Sequence, residues 1–504
     1  MMIINLIFTP LINFFLRYPT PGSLSYLWNF GVSSLFFLIV QIITGLFLSM
    51  HYVPNEMFAF ESVEDIMRNI SYGWLFRYMH SNGASFFFIC VYAHVFRNIY
   101  YLSFLKPRQW VWYSGVVILI LMIATAFTGY VLPWGQMSYW AATVITNLFS
   151  VIPYCGNEVV VWLWGDYGVT TSTLNRFYTI HFILPFLILV VACLHIFVLH
   201  RKGSTSKIGL TLENGKIMFH PFFTFKDFVF LVIVIMIFLA VVGFAPNYLG
   251  HPDNYIPADP LVTPSHIVPE WYFLPFYAML RCVPNKSLGV IVLACSLLQL
   301  FLLPSLHPNA NVVNAKIATR ETLFNKVDGY QLMVKRKDDE TARVIFFGFR
   351  VYIVLFWIFL IDCILLGVLG SKSLENPYVK TSLICTIFYF LFFYLSSFLF
   401  SEKGSKLLIF ILNTIENISP YLTREIIREK FDDYVDLLLE KIIDLKKKKK
   451  IYYRILKYLA LPIKLLIEFY KKHKKPTFLD QLSQIDRILE KEKIKEIRRK
   501  KNGF

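Results

Sequence analysis

The sequence predicts an all-α polytopic membrane protein with eight transmembrane helices. Hydrophobic residues make up 56% of its 504 residues, and the mean hydropathy of +0.54 is too high for a soluble domain of ordinary composition. Eight apolar runs also reach the roughly 20 residues that a helix needs to cross a bilayer. Numbered one to eight, these predicted spans are 30–50, 74–101, 111–133, 177–200, 228–246, 288–304, 344–370 and 378–400. An even number of spans puts both termini on one side.

Spans two and four each carry two histidines that are fourteen residues apart: His80 and His94, and His181 and His195. Fourteen residues cover about 21 Å of helix axis and fall about 40° short of four full turns, so both rings leave one face. A lone histidine in a membrane could be an ordinary hydrogen-bonded residue, but ionisable groups there are costly and mark functional sites. Four at matched spacing predict a bis-histidine dihaem bundle formed by the first four spans.

The charges of the loops give the direction of each span. Lys and Arg concentrate after spans two, four and six, whereas the loops after spans one and three are acidic. Positive loops mark the side that is not translocated, so spans two and four both run from outside to inside. His80 is therefore expected to pair with His181 near the outer face, and His94 with His195 near the inner face.

Glycines repeat the same fourteen-residue interval. Gly31 and Gly45 lie in span one, and Gly115 and Gly129 lie in span three. Such residues can serve close packing between membrane helices, or they can let the backbone approach a flat, bulky group. The register that they share with the histidines favours contact with haem.

Polar chemistry is expected at both membrane boundaries. The proline-rich loop before span six contains PEWY, which places the Glu270 carboxylate among aromatic residues, either as a surface acid or as a proton acceptor in an apolar pocket. On the inner side, His200 ends span four, Ser204 follows it, and Asp227 opens span five. These three could hold a polar head group and move protons, or Asp227 could be only a helix-start carboxylate.

Cysteine spacing and net charge limit the cofactors and partners that the chain is expected to have. The seven cysteines include no CxxC or CxxCH, which gives no support to iron–sulfur clusters or covalently attached haem. The net charge is +17, and residues 401–504 hold 26 Lys and Arg against 15 Asp and Glu. Because this charge adjoins membrane spans, anionic lipid is the expected partner and nucleic acid is not. Residues 1–17 lack the early basic region and the cleavage site of a removable signal, and the segment 1–27 is predicted to lie at the membrane interface.

Five runs of sequence resemble cytochrome b of the ubiquinol–cytochrome c reductase (bc1) complex. They are WLFRYMHSNGASFFFICVYAHVFR, ATAFTGYVLPWGQMSYWAATVITNL, IHFILPF, HPFFTFKD and DNYIPADPLVTPSHIVPEWYFLPFYAMLRCVPNK. The resemblance covers about residues 20–400, with an interruption near 309–343. Eight spans in one chain and equal spacing in both histidine pairs are similar to the bc1 form and differ from the split plastid b6 form.

The resemblance implies a Q cycle. Quinol would be oxidised at an outer site, where one electron leaves to a Rieske iron–sulfur subunit while the other passes through two non-covalent b-type haems to an inner site that reduces ubiquinone. Glu270 and Tyr277 would line the outer site, with Glu270 accepting a proton. His200, Ser204 and Asp227 would line the inner site.

The same resemblance implies cofactor contacts and partners. Arg77 and Arg97 would pair with haem propionates, since a guanidinium suits a carboxylate. The Rieske subunit, cytochrome c1 and other bc1 subunits would be partners, and the complex would form a homodimer. The expected location is the mitochondrial inner membrane, with both termini on the matrix side; a bacterial plasma membrane is the alternative.

Three departures from the family pattern have consequences. Ala141 stands where glycine is common beside the outer quinol pocket, which predicts weaker binding of inhibitors that pack on that backbone. Arg201 replaces a commonly acidic residue next to the inner site. The inner loop at 309–343 is unusually long, and the chain continues through 401–504, where 451–475 is predicted to lie on the inner membrane surface or against further subunits.

Taken in order, the predicted domains are the interfacial segment 1–27, the dihaem bundle 28–225, a four-span region 226–400 and the basic extension 401–504. The predicted function is the core redox subunit of the reductase. Two alternatives remain: a haem-bearing membrane anchor of another quinone-linked dehydrogenase, which would lack a second quinone pocket and the PEWY loop, and a transporter whose histidines relay protons.

Overall fold

The computed structural model describes most of the predicted membrane region. It covers residues 16–205, 216–307 and 340–401 and single positions between 403 and 414, with the backbone alone for 340–350. The chain divides into two compact units, 1–412 and 413–504, and the elements described below belong to the first. The predictions for the inner loop at 309–343 and for the segment 451–475 therefore lie largely or wholly outside the described residues.

Helices dominate the described residues. In chain order they are α1 Phe30–Ser49, α2 Ala59–Arg68, α3 Gly73–Tyr100, α4 Gln109–Val131, α5 Gln136–Thr146, α6 Gly156–Trp164, α7 Thr171–Lys202, α8 Phe222–Phe244, α9 Leu274–Arg281, α10 Lys286–Leu306, α11 Glu340–Gly370 and α12 Tyr378–Leu399. Two short strands, β1 Pro19–Pro21 and β2 Lys216–Met218, pair antiparallel. The all-α class is confirmed, and two short helices, α5 and α6, lie between predicted spans three and four.

Each predicted span corresponds to a long helix. Seven of these helices combine the length and apolar composition of a membrane span within the described part of the chain. The exception by composition is α3, whose 28 residues are long enough to cross a bilayer but include two arginines and both histidines of the first pair. The predicted number of eight spans therefore depends on α3, the helix that carries His80 and His94.

The first four long helices pack as a bundle. Helix α1 lies along α3, α4 lies along α7, and α1 also contacts α7. The C-terminal helices join this bundle through Tyr352 on α11, whose hydroxyl donates to the Ile99 carbonyl on α3 at 2.5 Å. Between α11 and α12, the buried rings of Phe359 and Phe392 stack with centres 4.0 Å apart. Bulky aromatic side chains thus fill the space between the C-terminal helices.

Two helices, α7 and α8, begin six residues earlier than predicted. Helix α7 starts at Thr171 because the Thr170 and Thr173 side chains cap its first turn reciprocally. Helix α8 starts at Phe222, so Asp227 lies beyond its first turn, which contains no acidic residue. The interpretation of Asp227 as a helix-start carboxylate is therefore wrong, since such a carboxylate acts on the unpaired N–H groups of the first turn.

Two loops interlock on the side that bears Glu270. The side chain of Asn254, in the proline-rich loop, accepts hydrogen bonds from the backbone and hydroxyl of Ser138 at 2.8 and 3.0 Å. Gln136 spans the same junction, donating to the Val262 carbonyl and accepting from the Asp259 N–H, both at 3.0 Å. These bonds connect the start of α5 to the loop that leads into PEWY.

The PEWY segment is anchored to α3. The Trp271 indole donates to the Ser85 hydroxyl at 3.0 Å, and the Tyr92 hydroxyl donates to the Tyr272 carbonyl at 2.6 Å. The Tyr272 ring stacks on Phe88 with centres 4.1 Å apart and planes 3° apart. As a result, Glu270 is held beside α3, the helix that carries His80 and His94.

Candidate functional site

The structure pairs the four histidines across α3 and α7. The rings of His80 and His181, here called the outer pair, have centres 6.1 Å apart and planes at 82°. The rings of His94 and His195, the inner pair, have centres 6.4 Å apart and planes at 64°. These are the partners expected from two helices that run in the same direction.

The separation within each pair fits one metal ion between two imidazoles. A metal–imidazole bond is about 2 Å long and the bonding nitrogen lies about 1 Å from the ring centre, so rings on opposite sides of an ion have centres about 6 Å apart. Both measured distances agree with this value. Each pair could therefore hold one haem iron through its two imidazoles.

The Nδ1 atoms of three of these rings contact oxygen atoms on the glycine-bearing helices α1 and α4. The contacts are His80 with the Thr44 hydroxyl at 2.9 Å, His195 with the Ser114 hydroxyl at 2.9 Å, and His181 with the Thr125 carbonyl at 2.8 Å. A metal-binding histidine usually donates its second ring N–H in this way, which fixes the ring and directs the other nitrogen to the metal. The arrangement leaves Nε2 as the ligand atom in all three.

The fourth ring, His94, has a different partner. Nη2 of Arg97 lies 3.2 Å from its Nδ1, and a guanidinium can only donate. A neutral His94 that accepts this bond carries its proton on Nε2, so iron binding there requires Arg97 to turn toward another acceptor. Nε of Arg97 is buried and has no hydrogen-bond partner among the described residues. A haem propionate would satisfy this orphaned donor.

Each of the four glycines lies against one histidine ring. A Cβ atom would lie 3.2 Å from Cε1 of the ring at Gly31 and at Gly45, and 3.3 Å from it at Gly115. The neighbouring rings are His94 for Gly31, His80 for Gly45, His195 for Gly115 and His181 for Gly129. Glycine thus gives α1 and α4 the close approach that a flat group beside the ring requires.

A cavity of about 290 Å³ extends from the outer pair to Glu270. The residues around it that bear on function are Gly45, Arg77, His80, Gly129, Tyr130, His181, Tyr255 and Glu270. The structure therefore brings Arg77, the outer pair, two of the glycines and the PEWY carboxylate to one space. A group bound at the outer pair and a substrate beside Glu270 would be neighbours there.

Burial raises the pKa of Glu270 from 4.5 to about 7, while a hydrogen bond from Tyr130 and the charge of Arg77 act against this shift. At neutral pH the carboxyl group is therefore divided between its two protonation states. A group with a pKa near the working pH is suited to accepting and releasing protons. This environment favours the proton-acceptor interpretation of Glu270 over the surface-acid one.

Tyr277 lies on α9 in different surroundings. Its hydroxyl donates to the Ile267 carbonyl at 3.1 Å, and the Arg281 guanidinium lies 4.2 Å from its ring centre. Within the described residues, Tyr277 does not line the cavity that contains Glu270. The structure thus brings Glu270, but not Tyr277, to the outer pair.

On the opposite side of the bundle, the turn after α7 holds His200 and Ser204. The Tyr18 ring stacks on His200 with centres 4.3 Å apart. Arg108, which is buried, donates from Nε to the Gly203 carbonyl at 2.6 Å and from Nη2 to the Ser204 carbonyl at 3.4 Å. Asp227 lies in the second turn of α8. The outer and inner candidate sites thus lie near opposite ends of α7.

Sequence reasoning missed several residues of these sites. Thr44 directly precedes Gly45, and Ser114 directly precedes Gly115. A hydroxyl residue followed by one of the four glycines was therefore a signal that could have identified both. Tyr130 directly follows Gly129. Tyr18 and Arg108 lie far from His200 in the sequence, and no local pattern indicates their contact with the turn that follows it.

Comparisons with known proteins agree with this architecture. The family described as Cytochrome b/b6/petB matches residues 15–203, and the one described as Cytochrome b(C-terminal)/b6/petD matches residues 257–327 and 330–390. The second match contains PEWY, which the alternative of a haem-bearing anchor would lack. The two matches together cover both halves of the predicted membrane region.

Similar proteins extend over most of the chain. Cytochrome b of Rickettsia prowazekii (strain Madrid E) is 48% identical over 384 residues, which cover 76% of this chain and 88% of that protein. Cytochrome b of Acanthamoeba castellanii is 48% identical over 390 residues, which cover 76% and 93%. A solved structure described as hyperthermophilic respiratory Complex III is 30% identical with a TM-score of 0.68, covering 80% of this chain and 99% of that one. The chain therefore belongs to the cytochrome b family and is the core redox subunit of a multisubunit quinol–cytochrome c oxidoreductase, the bc1 complex or complex III.

Proposed function

We propose that this subunit holds two non-covalent b-type haems between α3 and α7. His80 and His181 would bind the haem near the outer face, and His94 and His195 the haem near the inner face. The observation that carries this proposal is the spacing of about 6 Å between ring centres in both pairs. The two haems, when bound, would carry electrons between an outer and an inner quinone site.

The residues around the pairs fit these cofactors. Thr44, Ser114 and the Thr125 carbonyl hold three imidazoles through Nδ1, which keeps the ligand nitrogens directed between α3 and α7. The four glycines keep the backbones of α1 and α4 close to the rings. Arg97 would bind a propionate of the inner haem, and Arg77, in the outer cavity, would bind one of the outer haem.

At the outer site, Glu270 would accept a proton from ubiquinol as it is oxidised. Its pKa of about 7 keeps a useful fraction of the carboxylate ionised, and the bond from Tyr130 orients it. The anchoring of PEWY to α3 holds the carboxylate beside the outer pair. Tyr277, which the family resemblance implies for the outer site, would contribute from α9, although among the described residues it does not line the cavity with Glu270.

At the inner site, His200, Ser204 and Asp227 would bind ubiquinone and supply protons for its reduction. Imidazole and hydroxyl groups can donate hydrogen bonds to quinone carbonyls, and a carboxyl group can pass on protons. Arg108 supports this site by holding the carbonyls of the turn that contains Ser204.

The complex would include a Rieske iron–sulfur subunit that takes one electron from the outer site, together with cytochrome c1 and other bc1 subunits, and it would form a homodimer. We place it in the mitochondrial inner membrane with both termini on the matrix side, because the basic loops mark that side. The basic extension would contact anionic lipid; no role with nucleic acid is proposed.

Replacement of one histidine from each pair tests the assignment of two haems. In the purified complex, His80→Leu and His94→Leu are each expected to remove one band from a low-temperature reduced-minus-oxidised absorption spectrum, because each would remove one histidine that holds one of the two haems. The two variants should remove different bands. His51→Leu changes an exposed histidine outside both pairs and should leave the spectrum as in the wild type.

The assignment fails if both variants remove the same band, or if neither removes any while the complex remains assembled. A transporter that relays protons through histidines would show no haem spectrum with any of the three proteins.

A further inference from the structure

The segment 16–21, here called the N-terminal strap, is fixed against the chain that leads into α8. Its strand β1 pairs with β2. The hydrogen bonds continue beyond the strands, from the Phe219 N–H to the Tyr18 carbonyl and from the His220 N–H to the Leu16 carbonyl, both at 2.9 Å. Because the backbone is held on both sides of Tyr18, the direction of its side chain is set by the strap.

The strap brings the Tyr18 ring onto His200. Only 9% of Tyr18 is exposed, its ring centre lies 4.3 Å from that of His200, and the planes differ by 16°. Stacking covers one face of the imidazole. It leaves hydrogen bonding in the ring plane, where both nitrogens of an imidazole make their bonds.

The turn after α7 supports Tyr18 from its other end. Gly203 has a φ of +80°, and a Cβ atom there would lie 3.5 Å from the Tyr18 hydroxyl. The carbonyls of Gly203 and Ser204 accept the hydrogen bonds from buried Arg108. Burial raises the pKa of Tyr18, so the phenol is neutral at physiological pH. Tyr18 is thus enclosed between the imidazole and a turn that is itself held in place.

We propose that Tyr18 is a positioning residue of the inner quinone site, where its ring holds the His200 imidazole in the plane from which it hydrogen-bonds a quinone carbonyl. The inference rests on the proposed function of His200. An imidazole at a helix end that was not held would lose rotamer freedom when quinone binds, and that loss weakens affinity. The stack removes this cost before binding.

The test measures quinone affinity in the assembled complex. The probe is a short-tailed ubiquinone, its dissociation constant is measured by calorimetry with the outer site filled by an outer-site inhibitor, and haem content is recorded for each sample. Tyr18→Leu is expected to raise the dissociation constant about three- to tenfold, the effect of losing one aromatic stack or of ordering one side chain. Tyr18→Phe should restore most of the affinity.

Arg17→Ala is the matched control, since it changes an exposed side chain of the same strap and should bind quinone as the wild type does. A purely structural role for Tyr18 would lower haem content and maximal turnover together and leave the dissociation constant of the surviving complex unchanged, which would overturn the proposal. An equal rise in the dissociation constant of quinone for Tyr18→Phe and Tyr18→Leu would also overturn the proposal, because the hydroxyl would then matter and the ring would not.

Two further variants keep the result decisive. If the Tyr18→Leu complex does not assemble, Tyr18→Met, which fills similar space without an aromatic face, is judged by the same criteria. If His200→Leu leaves quinone binding at the inner site unchanged, the proposed function of His200 fails. If His200→Leu abolishes binding while Tyr18→Leu binds as tightly as the wild type, only the role of Tyr18 fails.

Discussion

The proton-acceptor role of Glu270 predicts a specific pH dependence. Burial raises its pKa from 4.5 to about 7, which favours the neutral carboxyl by about 3 kcal/mol relative to an ordinary glutamate. About one-tenth of the groups are then ionised at pH 6 and about nine-tenths at pH 8. Because only the ionised form can accept a proton, quinol oxidation by the wild-type complex should become about tenfold faster between these two pH values.

Glu270→Gln keeps the size of the side chain and removes its titration. The variant should lose this rise with pH, and at pH 8 it should be about 100-fold slower than the wild type, the lower end of what a positioned general base contributes. The assay is the initial rate of cytochrome c reduction by the purified complex at saturating quinol from pH 6 to 8. Glu158→Gln, which changes an exposed carboxylate on α6, should follow the wild-type curve.

A tenfold rise that persists in Glu270→Gln would show that another group limits proton transfer. A flat wild-type profile with a slow variant would instead mean that Glu270 orients quinol without titrating in this range. Either result would refute the link drawn between burial of this carboxyl group and its chemistry.

Three further predictions concern the bundle and the outer pocket. Gly45→Ala places a methyl group 3.2 Å from Cε1 of His80 and should lower the content of one haem, measured by absorption spectroscopy. Gly243→Ala, which has open space around it, should keep both haems. Equal haem contents in the two variants would contradict this prediction. Thr44→Val removes the hydroxyl at Nδ1 of His80 and should weaken retention of that haem about 10- to 100-fold, measured by transfer to an excess of apo-globin. Ala141→Gly should increase the affinity of outer-site inhibitors that pack on the backbone at residue 141. An unchanged inhibition constant would contradict this prediction.

Some features of the site were predictable because they depend on local geometry. The helical repeat puts His80 and His94 on one face of α3 and His181 and His195 on one face of α7, whatever surrounds them. Loop charge then gives both helices one direction, and the pairing follows. The glycines of α1 and α4 have the same fourteen-residue interval as the histidines, and this predicted that they lie at the same two levels of the bundle.

Other features depend on contacts between distant segments. Helix α8 begins before the predicted residue, which moves Asp227 out of the first turn. The hydroxyl of Thr44 is predictable as a polar group in a membrane helix, but its partner is known only once α1 lies against α3. The cavity shared by Glu270 and the outer histidines likewise requires two interlocked loops and the anchoring of PEWY to α3.

The sequence by itself determined the membrane-spanning helices, the register of the four histidines and the family, because apolar length, the 3.6-residue period and motif identity are properties of continuous stretches. Only the tertiary structure decided which atom contacts Nδ1 of each imidazole, how far Glu270 is removed from water, and that Tyr18 covers His200. Those properties arise where separate segments meet, and packing in three dimensions determines the distances and the burial on which they depend.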